Sequence, residues 1–186
     1  MEGVAFILIG AALFSQSWYF LGLYPDGRTM STYVGGLGAL SLIAITMTPM
    51  LLTGAGGDPD AFPLAETTIM KMLIIVWAGY TLGVAAQGWF DFDERALGFF
   101  SAVTAATSAV ALVYFAVTLA DPYGDAVSIS LSAATLVLSI LGGILFFYMA
   151  VPFNVLRLVA GWGVLLGSIT VFGIGLAIIT RVIEIG

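Results

Sequence analysis

Residues 127–149 read VSISLSAATLVLSILGGILFFYM, an apolar run without Asp, Glu, Lys, Arg or His, closed by Val151-Pro152-Phe153-Asn154. A run of roughly 18 to 25 apolar residues is what one helix needs to cross a hydrocarbon core with every backbone amide satisfied internally. Five more such runs occupy Val4–Leu23, Thr32–Thr53, Thr68–Gln87, Ala96–Leu119 and Leu158–Ile179. Between them lie Tyr24-Pro25-Asp26-Gly27-Arg28, the stretch 54–65, the acidic stretch 88–95 and Asp121-Pro122-Tyr123-Gly124-Asp125, where proline and glycine oppose helix. The expected fold is an all-α integral membrane protein, a single domain over residues 1–186 with six transmembrane helices per protomer. A soluble helical core is the bland alternative. A composition that is 61% hydrophobic and 9% charged, with a mean hydropathy of +1.12, leaves too little polar surface for it.

The chain holds five basic and eleven acidic residues, and nearly all fall between the runs. An even number of spans puts both termini on one side. The three loops on the opposite side carry Arg28, Arg95 and Arg157, against Lys71 and Arg181 on the terminal side, and only basic residues count in this rule. Both termini and the loops 54–65 and 120–126 are therefore expected outside the cytoplasm. The acidic balance, with a pI near 4.1, argues against nucleic acid as a partner. Glu2 stands where a signal peptide would carry basic residues, so the first helix is expected to stay in place.

Neither cysteine nor histidine occurs. A disulfide, a thiolate nucleophile and the commonest metal ligand and general base are thereby excluded, and no metal or other cofactor is expected. Apart from Lys71 near an end, the spans contain no charge, although intramembrane charge is the usual apparatus of pumps and ion-coupled carriers. An enzyme is not expected either, for want of a buried base. What remains is passive movement of something neutral, or a structural role.

The polar groups inside the spans are neutral. Ser15-Gln16-Ser17 lies past the middle of the first, Thr46 and Thr48 lie around Pro49 within the second, and Ser101, Thr104 and Ser108 recur at helical spacing in the fourth. Hydroxyls of this kind usually bond a carbonyl one turn earlier or glue helices together. Gln16 is open to two readings, interhelical glue or a pore lining, because an amide facing lipid would be costly. Small residues mark close helix contacts: Gly35, Gly36 and Gly38 in the second span, Gly142 and Gly143 in the fifth, and Gly163 and Gly167 at GxxxG spacing in the last. Trp77 and Tyr80 lie one turn apart in the third span. Trp77 falls near its centre, where an indole N–H needs a partner that lipid cannot give. Trp89 and Tyr24 read as interface-belt residues.

The segment Tyr33-Val34-Gly35-Gly36-Leu37 resembles the VGGLS-type motif of the family of urea channels and short-chain amide transporters (AmiS/UreI). The stretch from Trp77 to Leu82, Ala85-Ala86-Gln87, Glu94-Arg95 and Gly98-Phe99-Phe100-Ser101 is similar to that family's third helix, following loop and fourth-helix start. Gly10, Ser15 and Gln16 align with its first helix. The resemblance implies a protomer with its own pore, assembled as a hexameric ring, with the pore lined by the first, third, fifth and sixth helices. The matching lining positions are Phe6, Leu13 and Gln16, then Trp77, Tyr80 and Thr81, then Leu145 and Phe146. Two departures are visible. The tryptophans of the family's fifth helix give way to small residues such as Ser139 and Gly142, with Phe146 the remaining aromatic, and an acidic position of the sixth helix falls at Gly167. Both suggest a roomier or less polar pore.

The expectation is a passive channel in the cell membrane for small neutral solutes, short-chain amides or urea. The expected partners are the solute, the lipid bilayer and further copies of the chain in a cyclic homo-oligomer of six. The alternatives are a non-transporting scaffold that assembles partners through its glycine faces, and a secondary transporter. The missing charges and the lack of evident inverted repeats weigh against the last.

Overall fold

The computed structural model describes residues 2–23, 26–47, 64–118, 125–151 and 156–180, with the side chains of 2, 47, 64–67, 118 and 125–127 excepted. Six helices make up this part: α1 (Glu2–Phe20), α2 (Gly27–Met47), α3 (Leu64–Phe90), α4 (Glu94–Thr118), α5 (Asp125–Ala150) and α6 (Leu156–Ile179). Each is long and apolar enough to cross a membrane, and no strand occurs among the described residues. The expected limit at Thr53, the one at Leu119 and the loops 54–63 and 120–124 fall outside them.

Local chemistry moves several ends away from where hydropathy alone puts them. Helix α2 begins more than a turn before Thr32 because Asp26 caps it: the backbone N–H groups of Arg28 and Thr29 each donate to its carboxylate at 3.2 Å, and the Thr29 hydroxyl donates as well. Asp93 does the same for α4, accepting from the Arg95 N–H at 2.9 Å. At the other end of α1, the Leu23 N–H reaches the Trp18 carbonyl at 2.9 Å and the Gly22 N–H reaches Tyr19 at 3.0 Å. Gly22 takes φ of 74°, the left-handed position that closes a helix in this way. Arg157 in the first turn of α6 donates through Nε to the Phe20 carbonyl at 2.9 Å, satisfying another orphan acceptor of α1.

The helices pack in chain order as a ring, each against the next, and α6 closes on α1. Association of apolar helices rests on close van der Waals contact, and glycine permits it. A Cβ on Gly142 would lie 2.7 Å from the Ala105 nitrogen, and one on Gly98 2.7 Å from the Ala150 nitrogen, so α4 and α5 touch backbone to backbone. Gly35 and Gly38 of α2 receive Ala85 and Thr81 of α3. Gly163 and Gly167 receive Ile144 and Leu141, joining α6 to α5. Gly36 and Gly143 face nothing within 4 Å among the described residues. The α1–α6 contact uses glycines that no spacing motif singled out: Gly10 against the Phe172 backbone, and Gly3 against Gly175.

Polarity runs outward in reverse of a soluble protein. Ser17, Ser41, Ser101, Thr104 and Ser108 are buried, while Val103, Val110, Val113, Leu158 and Leu166 are more than half exposed. Most of these hydroxyls bond a carbonyl three or four residues earlier, for example Ser101 to Gly98 at 2.6 Å and Ser108 to Thr104 at 2.7 Å. Ser128 and Ser139 of α5 instead donate across to the Phe115 and Ala105 carbonyls of α4. Thr48 lies outside the described residues.

Candidate functional site

Between α1 and α3 the bundle holds a polar pair. Gln16 is 1% exposed, and its Nε2 donates to Tyr80 Oη at 2.8 Å. Its other amide atom, Oε1, is buried without a hydrogen-bond partner among the described residues. A buried acceptor left in that state carries a desolvation penalty.

Gln16 also lines a cavity of about 430 Å³ at the end of the bundle where α1 and α3 finish and α2 and α4 begin. One turn outward from Gln16, Tyr19 and Phe20 form part of the wall, and the ring of Tyr148 of α5 meets that of Phe20 at a tilt of 59° with centroids 4.8 Å apart. Ser31 of α2 and Gln87 of α3 add neutral polar groups. The rim carries Asp26, Arg28, Asp91 and Glu94. Asp91 holds φ of 52°, a left-handed backbone that few non-glycine residues adopt and that aspartate tolerates better than most. The Thr29 hydroxyl and the Arg28 N–H hold the Asp26 carboxyl below its ordinary pKa, with the Arg28 charge adding to the effect.

Deeper than Gln16 the largest side chains are apolar or aromatic. Phe6, Leu13, Trp77 and Leu145 have no exposed surface. Trp77 meets Tyr80 edge-on at 5.7 Å and donates through Nε1 to Ser108 Oγ of α4 at 2.9 Å, which gives the indole the partner its depth demands. A polar vestibule thus leads inward to the Gln16–Tyr80 pair, behind which Trp77, Leu13 and Phe6 are fully buried.

Of the positions singled out from sequence, Gln16, Tyr80 and Trp77 come together directly, and Phe6, Leu13 and Leu145 belong to the same buried core. Thr81 sits at the α2–α3 seam, against Gly38, with its hydroxyl bonded to the Ala78 carbonyl at 2.8 Å. Phe146 is half-buried, and its ring neighbours are Phe99 and Phe147, both more than half exposed. Trp89 is exposed and donates to Thr32 Oγ1 at 3.0 Å, while Tyr24 lies outside the described residues. The vestibule walls escaped the sequence reading. Their signal is the helical spacing of Gln16 with Phe20 and of Val84 with Gln87, which places polar and aromatic groups on one face just inside the span ends.

Among the described residues no group of three or more carboxylates could hold a metal ion. No protein-family model, curated protein or solved structure matches the chain.

Proposed function

We propose that this protein is a passive channel for small neutral solutes, most readily short-chain amides or urea. The observation that carries the reading is the buried Gln16 amide, with Oε1 unpaired, at the inner end of a polar vestibule. An amide arriving there exchanges water for Gln16 Oε1 and the Tyr80 hydroxyl, an acceptor and a donor that complement its own N–H and C=O. Beyond the pair, Trp77, Leu13 and Phe6 offer apolar surface. A small neutral solute can pass such a surface when side chains move aside, whereas an ion would lose its hydration with no fixed charge to replace it.

The vestibule opens beside Arg28 and Glu94, at the bundle end where Arg95 and Arg157 also lie, which the basic-residue count puts on the cytoplasmic side of the cell membrane. The protomer would assemble with further copies in a cyclic ring of six. Stopped-flow shrinkage of proteoliposomes under gradients of urea, acetamide or formamide tests the function. Solute flux above that of protein-free vesicles, linear in concentration, is the expected result. No flux would leave a structural scaffold, and saturating flux would point to a carrier.

A further inference from the structure

The rim of the vestibule is negative. Its lining holds three carboxylates, Asp26, Asp91 and Glu94, against one cation, Arg28, and Arg157 stands at its edge, where its guanidinium donates to the Tyr19 carbonyl at 3.5 Å. Asp26 is engaged with the first turn of α2 and lies beside Arg28 in sequence. Asp91 and Glu94 form no ion pair among the described residues, so their charge is available to a ligand. These carboxylates do not converge on a metal-binding geometry. Inside them stand the rings of Phe20 and Tyr148, and farther in Gln16, whose amide nitrogen has a partner and whose buried Oε1 has none among the described residues.

Acceptors at both depths, aromatic rings between them and an excess of carboxylates at the mouth describe the complement of one chemical class. We propose that the vestibule binds small organic cations bearing N–H donors, guanidinium compounds foremost, with Gln16 Oε1 accepting from the cation at the inner end and Asp91 and Glu94 balancing its charge at the rim. A guanidinium is planar, weakly hydrated and able to stack on aromatic rings while donating from its edge. The core beyond Trp77 has no buried charge among the described residues to receive it, so the cation docks in the vestibule and does not cross. Binding of this kind stands whether or not the bundle conducts amides.

The test is calorimetric titration of the full chain in lipid nanodiscs, where both faces are accessible, with methylguanidinium as probe. Tetramethylammonium, equal in charge but without N–H donors, serves as comparison. Saturable methylguanidinium binding in the millimolar range or tighter is expected, with tetramethylammonium at least about tenfold weaker, the factor that losing one charge-assisted hydrogen bond produces. Gln16→Leu and, separately, Asp91→Asn should each weaken methylguanidinium severalfold or more. The second change lies at the rim, in a backbone conformation that asparagine adopts as readily, so it probes the site without disturbing the core. Equal binding of the two cations, no saturable binding, or unchanged affinity in both variants would overturn the proposal. Solute flux measured on the same preparations reports separately on the channel reading.

Discussion

Gln16 of α1 and Tyr80 of α3 are joined by a 2.8 Å hydrogen bond in which the amide nitrogen donates, and this leaves the Gln16 carbonyl as a buried acceptor without a partner. If that acceptor contacts passing solute, Gln16→Leu should lower amide flux severalfold while leaving the oligomer intact, as read by stopped-flow and native mass spectrometry. Equal flux in variant and wild type would make the bond interhelical glue.

Trp77 closes the core behind that pair and ties α3 to α4 through Ser108. Trp77→Ala in a pure packing role costs about 3 to 5 kcal/mol and changes nothing else. In a constriction it also admits larger amides. Comparing acetamide with butyramide permeability in a variant that still folds separates the two outcomes, and the channel reading expects the larger solute to gain most.

The glycines of the α4–α5 seam make a matched pair of changes. Gly142→Ala would place its Cβ 2.7 Å from the Ala105 backbone and force the helices apart, at a cost of about 1 to 3 kcal/mol. Gly143→Ala meets nothing within 4 Å and should be tolerated. Thermal unfolding in detergent compares them. Similar losses in both would mean that Gly143 is covered by another copy of the chain.

Asp26 gives a pH dependence of stability. Its folded pKa lies below the ordinary aspartate value because the charged form accepts from Thr29 and Arg28 at the start of α2. The cap therefore contributes fully above the unfolded value of about 3.9 and is lost as pH falls through the lowered folded value. Asp26→Asn keeps a capping oxygen but should remove this part of the acid sensitivity. Melting curves between roughly pH 2 and 5 would show the wild-type midpoint falling faster than the variant's.

Flux itself should be flat with external pH from about 5 to 8. The chain has no histidine, and unperturbed carboxylates keep their charge throughout that window. The carboxylates of Asp58, Asp60, Glu66, Asp121 and Asp125 lie outside the described residues. A severalfold rise in permeability on acidification would mean that one of them is buried and titrates near neutrality.

The sequence by itself determined that six helices form and that they suit a membrane, because apolar length is a one-dimensional property and the runs from Val4 to Ile179 carry it openly. It also marked Gln16 and Trp77 as out of place, since a lone amide or indole N–H deep in an apolar run is anomalous whatever surrounds it. Only the tertiary structure decided who answers them: Tyr80 for Gln16, and Ser108 for Trp77, from helices distant in sequence. It also separated glycines that read alike. Gly35 and Gly142 meet a neighbouring helix and Gly36 and Gly143 do not, because one step along a helix turns a residue by about 100° and which side faces a partner is set by the packing of the whole ring. The vestibule follows the same rule. Its walls come from α1, α2, α3, α4 and α5 at their ends, and no local pattern in any one of them states that Asp26, Gln87, Asp91 and Tyr148 share one cavity.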